Sequence, residues 1–285
     1  LGISYRKYFL SRQGLNPFHD FKSFITIYKT IRKEKPDIVL SYTIKPVIYG
    51  SLAAFICGIK QYHSIITGIG YSMYDETLKQ KIIGKIVRKL YRITLNYNKK
   101  VFFQNPDDLN YFLNRRIIND SSNTVLLNGS GVDLDYYYQC KPVFSPVKFL
   151  LISRLLKEKG ILEFISAAEE LKKKYQSAQF QIIGWADASP SRIDPQLINK
   201  MKEKGIIDFL GYKKDVRSYI KKCSIFVLPS YREGTPRTVL EAMSMGRAII
   251  TCDSPGCRET VMDGINGFLI PVKDSRVLGK TMEKF

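Results

Sequence analysis

The stretch from Ser230 to Gly246 contains two glutamates and the predicted start of a helix, which is marked by a proline. Glu233 precedes the predicted helix and Glu241 lies inside it, eight positions further on. Thr235 is predicted to cap the helix, and Pro236 to occupy its first turn. The unpaired N–H groups and the helix dipole there favour a phosphate, whereas two carboxylates suit sugar and ribose hydroxyls better. The stretch therefore has the chemistry of a nucleotide-sugar site.

A second polar group follows the strand predicted over 147–153. Arg154 offers a planar fork and Lys159 a point charge, a combination suited to a diphosphate. Taken alone, the two are equally well explained as solvated surface residues of a basic protein. A site is favoured because both polar groups follow strands of the same predicted sheet, and ligands bind outside the carboxyl ends of such strands. We therefore expect Arg154 and Lys159 to meet residues 233–236.

Apolar strand-like runs alternate with helical patterns along the chain, which is typical of parallel sheets covered on both faces. Strands are predicted at 37–40, 62–66, 101–103, 124–127, 147–153, 180–183, 207–210, 224–228, 248–251 and 267–270. Helices are predicted at 21–33, 47–59, 78–95, 107–113, 158–175, 195–204, 216–222 and from 235. The sequence thus predicts an α/β protein with two doubly wound, Rossmann-like domains facing a cleft. Their predicted bounds are 1–138 and 147–285, with a linker at 139–146.

The chain carries a strong excess of positive charge. Its 285 residues include 45 Lys and Arg against 26 Asp and Glu, a formal net charge of +19. Nucleic acid, anionic lipid and a phosphorylated substrate are all polyanions that fit this excess. Nucleic acid is disfavoured because the aromatic residues do not alternate with the charges as a stacking platform requires. Five cysteines without paired spacing favour a reducing compartment and argue against structural zinc.

The motifs around Arg154, Lys159, Glu233 and Glu241 resemble those of the large retaining family of GT-B glycosyltransferases known as glycosyltransferase family four. The family's hallmark is a Glu, seven residues and a second Glu, which Glu233 and Glu241 reproduce. Further matching motifs are Arg154-Leu155 with Lys159-Gly160, Asp208-Phe209-Leu210-Gly211, Pro229-Ser230, Glu233-Gly234-x-Pro236, Glu241-Ala242-Met243 with Gly246, and Gly264-x-Asn266-Gly267-Phe268. Gly129-x-Gly131-Val132-Asp133 matches the close of the family's first domain, so the resemblance covers nearly the whole chain.

The resemblance implies a role for each matching residue. Arg154 and Lys159 would bind the donor diphosphate and stabilise it as it leaves, while Glu233 would reach the donor sugar. The acceptor hydroxyl would enter on the face from which the diphosphate leaves, so the configuration of the sugar would be retained. The scheme requires neither a metal nor a cofactor. The donor-binding residues implied are Glu241 at the ribose hydroxyls, Gly234, Thr235 and Pro236 beside the sugar, and Leu210 and Gly211 beside the base.

The first domain departs from the family pattern. Many members place a His before a Gly at the end of a first-domain strand, whereas Thr67 precedes Gly68 here. Some bacterial polysaccharide and lipid-linked oligosaccharide members are similar in having a Thr-Gly-x-Gly segment and an upstream Lys-Pro. We therefore expect Lys45 and Thr67 to contact the acceptor or the donor. The family's opening strand and glycine-rich loop have no counterpart, and Phe285 falls within a predicted helix, so a fragment with a truncated amino terminus is expected.

Three other patterns are interpreted as structural. Asp133-Leu134-Asp135 fits the Asp-x-Asp pattern that binds a metal in the other major glycosyltransferase fold, but its place at the domain exit predicts a turn. Gly68-Ile69-Gly70 and Gly129-Ser130-Gly131 lack the third glycine of a dinucleotide fingerprint, which disfavours a dehydrogenase. His63 is expected to pack in the core and His19 to help cap a helix, because neither has a metal-ligand partner at useful spacing.

The predicted helix 78–95 and its flank are strongly basic. The basic residues, without an acid among them, are Lys79, Lys81, Lys85, Arg88, Lys89, Arg92, Lys99 and Lys100. The apolar residues expected to pack on the sheet are Ile82, Ile83, Ile86, Val87, Leu90 and Ile93. The basic face is either simply solvated or attracted to anionic lipid headgroups.

These features predict a retaining hexosyl- or N-acetylhexosaminyltransferase that moves a sugar from a UDP-linked donor to a growing glycan. The basic first domain and the segments around Lys45 and Thr67 favour a polyprenyl-diphosphate-linked acceptor. The protein is then expected to be cytoplasmic and peripheral on the inner face of the cell membrane, with an anionic membrane surface rather than nucleic acid as partner. Two alternatives remain: a soluble transferase acting on a small acceptor, and an inactive or scaffolding remnant that binds anionic lipid.

Overall fold

The chain divides into two compact units. The computed structural model describes residues 4–10, 16–70, 73, 77–186 and 189–285. The units are Leu1–Leu127 and Asn128–Phe285, a division that comes earlier in the chain than the predicted linker at 139–146. Residues 128–146 are tied into the second unit. There Ser244 Oγ donates a 2.5 Å hydrogen bond to the carbonyl of Tyr137, and Arg247 Nη2 donates one of 2.5 Å to that of Cys140.

The first unit is built on a four-stranded parallel sheet with the order β1-β2-β3-β4. Its strands are β1 (Ile38–Tyr42), β2 (Gln61–Ile66), β3 (Lys100–Phe103) and β4 (Thr124–Leu126). Its helices are α1 (Pro17–Glu34), α2 (Ile44–Ile56), α3 (Leu78–Leu95) and α4 (Pro106–Asn114). A helix joins each strand to the next, as parallel neighbours require. The predicted alternation of strands and helices is therefore confirmed in this half of the chain.

Local side chains explain where two of these helices begin. The side chain of Asn16 accepts hydrogen bonds from the backbone N–H groups of Phe18 and His19, at 3.0 and 3.3 Å. His19 thus lies inside α1 and does not cap it, contrary to the prediction. Helix α3 begins after Thr77, whose hydroxyl and the side chain of Gln80 form a reciprocal capping box. The predicted bounds of α3 are confirmed for this reason.

The second unit is built on a six-stranded parallel sheet with the order β10-β9-β8-β5-β6-β7. Its strands are β5 (Lys148–Ile152), β6 (Gln179–Ile183), β7 (Asp208–Phe209), β8 (Ile225–Leu228), β9 (Ala248–Cys252) and β10 (Gly267–Ile270). Its helices are α5 (Ile161–Lys174), α6 (Pro195–Glu203), α7 (Arg217–Lys222), α8 (Arg237–Ser244) and α9 (Ser275–Met282). The chain adds β6 and β7 on one side of β5, and then β8, β9 and β10 on the other. This order is that of a doubly wound sheet.

In the second unit, the start of α5 and the end of the last helix differ from the prediction. Residues Lys157–Lys159 form a 3-10 turn that ends at Gly160, whose φ of 69° is left-handed, so α5 begins only at Ile161. The last helix ends at Met282 and does not continue through Phe285. Within the described ranges, no helix has the length and hydropathy that a membrane span needs.

Most of the cysteines are buried among apolar residues. All five are present as free thiols. Cys223 and Cys252 are buried, while Cys57 is only half-buried. Burial raises the pKa of Cys223 to about 12, which keeps that thiol protonated near neutral pH. Cys223 is therefore a core residue and not a reactive thiol.

Candidate active site

The candidate site lies at the carboxyl ends of β5 and β8, in the second unit. These two strands are neighbours, yet the chain runs from β5 towards β6 and reaches β8 only later. In a doubly wound sheet, ligands bind outside the carboxyl ends of the strands at this point, where the strand order reverses. The loop after β5 carries Arg154 and Lys159, and the loop after β8 carries Glu233. The predicted site residues thus follow the two strands that flank the switch point.

The two loops are packed directly against each other. The backbone N–H of Tyr231 and the hydroxyl of Ser230 both donate to the carbonyl of Glu158, at 2.9 and 3.1 Å. A Cβ atom on Gly160 would lie 2.1 Å from the carbonyl oxygen of Pro229. Only glycine therefore lets the turn that carries Lys159 approach the loop after β8 so closely.

Lys159 and Glu233 form an ion pair at this junction. Their Nζ and Oε1 atoms are 2.5 Å apart, and the two side chains are only 12% and 16% exposed. A partly buried pair at this distance is a strong, charge-assisted hydrogen bond. The structure thus brings together two residues that are separated by 74 positions in the sequence. Their predicted proximity is what the donor-site interpretation requires.

Arg154 is the second residue after β5. Its side chain is exposed, and its backbone carbonyl accepts a 3.0 Å hydrogen bond from Ser153 Oγ. The backbone therefore places Arg154 in the same loop as Lys159, at the carboxyl edge of the sheet. A long, exposed guanidinium in this position can reach an anion bound at the crevice.

The start of α8 differs from the prediction. Pro236 is its N-cap residue and α8 begins at Arg237, so Thr235 is not the cap and Pro236 does not occupy the first turn. Proline has no side-chain acceptor, and no side chain of the described residues caps this end. The N–H groups of Val239 and Leu240 donate to the carbonyl of Pro236 at 3.0 and 3.2 Å. An anion at this end would therefore be bound by the N–H groups of Arg237 and Thr238.

A third loop fixes the backbone around Glu233. The N–H of Glu233 donates a 2.9 Å hydrogen bond to the carbonyl of Pro255, in the loop after β9. A Cβ on Gly256 would lie 2.3 Å from the carbonyl oxygen of Glu233 and 2.4 Å from that of Gly234. Gly256 is also left-handed, with a φ of 80°. Sequence reasoning missed this support, because Pro255 and Gly256 look like an ordinary turn.

Gly129 forms the other side of this corner. It is left-handed, with a φ of 81°, and an added Cβ would lie 2.7 Å from Thr235 Cγ2. The Gly129-x-Gly131 motif matched on sequence thus lies against Thr235. Asp133 follows, and its Oδ1 accepts from the backbone N–H groups of Asp135 and Tyr136 at 3.1 and 2.9 Å. This is the geometry of a turn, in agreement with the structural interpretation of the Asp-x-Asp pattern.

Glu241 is buried within α8, at only 7% exposure. Burial raises its pKa, while Arg237 and a hydrogen bond from Tyr137 act in the opposite direction. The nearest nitrogen of Arg237 is 3.8 Å from the carboxylate. Burial and the contact with Glu241 raise the pKa of Tyr137 to about 12, so its hydroxyl stays protonated and donates. Sequence reasoning missed the contact of Tyr137 with Glu241, because no local pattern distinguishes Tyr137 from the neighbouring tyrosines.

Tyr137→Phe is expected to raise the KM for the sugar donor about fivefold and to leave kcat within twofold. The reason is that Glu241 loses one neutral donor that orients its carboxylate, worth about 1 kcal/mol. Steady-state kinetics with varied donor measures this split. Tyr136→Phe is the matched control, since Tyr136 is exposed and contacts Arg217 through its ring. Equal KM values for the two variants would mean that Tyr137 does not position Glu241.

Leu210 and Gly211 follow β7, two strands away from β5. The N–H of Leu210 donates to the carbonyl of Ile182 at 2.9 Å, and Gly211 is left-handed with a φ of 68°. Beside them, Trp185 and Tyr212 pack edge to face with ring centroids 5.5 Å apart, and both rings are largely exposed. The carbonyl of Trp185 also accepts from Leu155 at 3.0 Å, which ties this aromatic pair to the loop of Arg154. Exposed rings at this edge offer a flat surface for a base.

Lys45 and Thr67 lie in the first unit, at the carboxyl ends of the neighbouring strands β1 and β2. Lys45 Nζ is 2.6 Å from Asp20 Oδ1, and both side chains are about 15% exposed. Tyr49 also contacts Asp20, and burial, followed by this contact, raises its pKa to about 12. Thr67 is half-buried. Lys45 is thus held by an acidic partner in α1 that the sequence did not reveal.

The structure shows where His63 lies and whether acidic, His or Cys side chains cluster. His63 is half-buried on β2, with its ring centroid 6.2 Å from that of Phe102. Among the residues that the structure describes, no cluster of three or more His, Cys, Asp or Glu side chains could hold a metal ion.

Comparison with known proteins identifies the family. The family described as glycosyl transferase 4-like matches residues 5–105, and the family described as glycosyl transferases group 1 matches residues 146–285. The Campylobacter jejuni N,N'-diacetylbacillosaminyl-diphospho-undecaprenol alpha-1,3-N-acetylgalactosaminyltransferase is 28% identical over 294 residues, which cover 98% of this chain and 76% of the relative. An Escherichia coli UDP-Gal:alpha-D-GlcNAc-diphosphoundecaprenol alpha-1,3-galactosyltransferase is 26% identical over 283 residues, 92% of this chain and 69% of the relative.

The same relationship appears in the fold. Anabaena HepE, solved in complex with UDP-glucose, superposes with a TM-score of 0.75 at 19% identity, over 94% of this chain and 74% of that one. The chain therefore belongs to the GT-B glycosyltransferases of family four. Its relatives make bacterial polysaccharides and lipid-linked glycans. Both the resemblance stated from the sequence and the predicted fold class are confirmed.

Proposed function

We propose that the protein is a retaining glycosyltransferase that moves a hexose or N-acetylhexosamine from a UDP-linked donor to a glycan on a polyprenyl diphosphate. The observation that supports this most strongly is the Lys159–Glu233 pair at the switch point of the second sheet. It puts a cation for phosphate and a carboxylate for sugar hydroxyls within one hydrogen bond of each other. If the Lys159–Glu233 pair only stabilised the fold, it would not need an exposed arginine and an uncapped helix start beside it.

The donor is proposed to lie along the carboxyl edge of the second sheet. Lys159, Arg154 and the first turn of α8 would bind the diphosphate, and Glu241 would accept from the ribose hydroxyls. Gly234, Thr235 and Pro236 would flank the sugar that Glu233 holds, and Leu210 and Gly211 would border the base. UDP is favoured because the related Anabaena HepE has been solved with UDP and with UDP-glucose. In this scheme the second domain binds the nucleotide sugar and the first serves the acceptor.

The reaction follows from these charges. The bond between the sugar C1 and the phosphate oxygen breaks, and its electron pair leaves with the diphosphate. Lys159, Arg154 and the N–H groups of α8 stabilise the negative charge as it develops. The acceptor oxygen bonds to C1 on the face that the phosphate leaves, and the hydroxyl proton passes to the departing phosphate oxygen. Because fixed cations carry the leaving group, transfer is proposed to need no metal ion.

Retention and the acceptor class are supported by the relatives. The names of the Campylobacter jejuni and Escherichia coli enzymes both specify an alpha-1,3 bond and a diphosphoundecaprenol acceptor. UDP-galactose carries its sugar in the alpha configuration, so an alpha product keeps that configuration. By analogy, Lys45 and Thr67 are proposed to serve the acceptor side. A lipid-linked acceptor would hold the protein peripherally on an anionic inner membrane surface.

The test is release of UDP from a panel of UDP-hexoses and UDP-N-acetylhexosamines, with and without an undecaprenyl-diphosphate-linked saccharide. We expect one donor to be consumed only with the lipid-linked acceptor, equally well in EDTA, and to give an alpha linkage by proton NMR. Transfer to simple soluble glycosides alone would favour the small-acceptor enzyme. No turnover with any donor would favour the inactive, lipid-binding remnant, and a beta product would refute retention.

A further inference from the structure

A row of apolar side chains lies on the outer face of α3. Leu78, Ile82, Ile86 and Ile93 are 76%, 56%, 45% and 49% exposed. Their spacing of four, eight and fifteen positions from Leu78 places them on one face of the helix. We call these four residues the α3 row. Four large aliphatic side chains on one surface stripe are unusual in a soluble domain, where exposed apolar residues are normally scattered.

The α3 row corrects the sequence prediction for this helix. The face that packs on the first unit is formed by Gln80, Gly84, Val87, Tyr91, Thr94 and Leu95. Ile83 and Leu90 are half-buried at its edge, whereas Ile82, Ile86 and Ile93, which were predicted to face the sheet, are exposed. The prediction was wrong because it assigned every isoleucine to the core. Gly84 and Tyr91, which are less hydrophobic, occupy the inner face instead.

Basic residues flank the α3 row on both sides. Lys79, Lys81, Lys85 and Lys89 are all exposed, and α3 contains no acidic residue. By the helical rotation of 100° per residue, Lys89 lies within the row, Lys81 and Lys85 lie along one side of it, and Lys79 lies on the other side near its start. The outer face of α3 therefore carries an apolar row with positive charge within it, along one side and at its amino-terminal end.

The two arginines of α3 differ from these lysines in having partners within the first unit. Arg88 donates to the hydroxyl of Tyr111 at 3.2 Å. Arg92 donates to the backbone carbonyls of Arg115 and Arg116 at 2.9 and 2.6 Å. They anchor the helix to α4 and the loop that follows it. The lysines supply the outward charge.

The apolar surface continues past the end of α3. Tyr97 and Phe55, at the end of α2, pack with ring centroids 5.1 Å apart, and they are 60% and 54% exposed. Ile56 beside them is 54% exposed. Aromatic rings of this kind suit the boundary between headgroups and acyl chains. The apolar surface thus runs the length of α3, about 27 Å for 18 residues at 1.5 Å per residue.

We propose that α3 lies in the plane of an anionic lipid bilayer, with the α3 row inserted between the headgroups and its lysines on lipid phosphates. An apolar stripe edged only by positive charge matches an anionic bilayer, which offers acyl chains and phosphates together. A protein partner would be expected to meet a patch with a mixed polar rim. The inference deepens the proposed function and rests on it for one point, that the acceptor is carried in the same bilayer.

The test is flotation of the full chain with vesicles of phosphatidylcholine containing 30% phosphatidylglycerol, against vesicles of phosphatidylcholine alone. Two variants separate the two contributions: Ile82→Ser with Ile86→Ser and Ile93→Ser, and Lys81→Gln with Lys85→Gln and Lys89→Gln. We expect each variant to bind the anionic vesicles at least tenfold less strongly than the wild type. One control is Ile265→Ser, on an exposed apolar residue of the second unit. The other is Lys200→Gln with Lys202→Gln and Lys204→Gln, on exposed lysines of and just after α6. They should bind within twofold of the wild type.

Three results would overturn the proposal. These are a wild type that does not float, a serine variant that floats as well as the wild type, and a glutamine variant that does so. Circular dichroism checks that each variant is folded, which the exposure of every substituted side chain predicts. UDP release with a detergent-dispersed acceptor should be unchanged in both variants. Normal transfer without flotation would refute only the docking surface, whereas flotation without any transfer would refute only the proposed function.

Discussion

Lys159→Ala is expected to lower kcat/KM for sugar transfer by about 10³-fold, or about 4 kcal/mol of transition-state stabilisation. Lys159 is the cation held nearest the proposed sugar-binding carboxylate, with Nζ 2.5 Å from Glu233 Oε1. Negative charge on the phosphate grows as the glycosidic bond breaks, so a fixed ammonium acts more strongly in the transition state than on the bound donor. The loss should therefore appear mainly in kcat, measured as UDP release at saturating donor.

The control for this variant has to separate charge from folding. Lys159→Ala leaves a half-buried carboxylate without its ammonium, which is expected to lower Tm. The double variant with Glu233→Gln removes that negative charge, so it should recover Tm without recovering activity. Lys157→Ala, an exposed lysine in the same turn, should stay within twofold of the wild type. A Lys159→Ala enzyme with near-normal kcat would remove Lys159 from the catalytic machinery.

Glu233→Gln is expected to lower kcat about 10²-fold while leaving UDP affinity unchanged or increased. The amide keeps the shape of the side chain, but it loses the charge that orients Lys159 and accepts from sugar hydroxyls. Removing the negative charge of Glu233 also removes its repulsion of the diphosphate. UDP has no sugar for Glu233 to contact, so its binding gains from this change and loses no sugar contact. Kinetics with the full donor and calorimetry with UDP measure the two effects separately.

This opposite response distinguishes a sugar-binding residue from a merely structural one. If Glu233 only held the loop in place, both transfer and UDP affinity would fall together. Gly256 supports the same backbone from the loop after β9, where a Cβ would lie 2.3 Å from the Glu233 carbonyl. Gly256→Ala is thus the structural comparison, and it should lower both quantities. A Glu233→Gln variant that behaves like Gly256→Ala would contradict the role proposed for the carboxylate.

The sequence predicted the fold and the convergence of the site because both follow from local patterns. Alternating strands and helices require parallel sheets, and the carboxyl ends of parallel strands share one edge. The stretches around Lys159 and Glu233 were therefore expected to meet, although 74 positions separate them. No side-chain detail is needed for that step, only the order of the strands.

Other features of the site depend on contacts that no local pattern contains. The hydrogen bond from Tyr137 to Glu241 joins a loop to a helix about a hundred positions later, and neighbouring tyrosines look the same in sequence. Thr235 was expected to cap α8 because threonine favours that position, but Pro236 is the N-cap residue, and Thr235 lies against Gly129, which is far from it in sequence. The inner face of α3 was mistaken because hydrophobicity alone does not fix which isoleucines face the core.

The central claim, that Lys159 and Arg154 bind one diphosphate with the start of α8, is tested most directly by comparing UDP with uridine in calorimetry. The ratio of their dissociation constants isolates the diphosphate, because the base and ribose contacts cancel. We predict that the wild type binds UDP at least 100-fold more tightly than uridine, and that Lys159→Ala and Arg154→Ala each reduce this ratio at least tenfold, while Lys157→Ala leaves it unchanged. The same ratio in all four proteins would contradict the account.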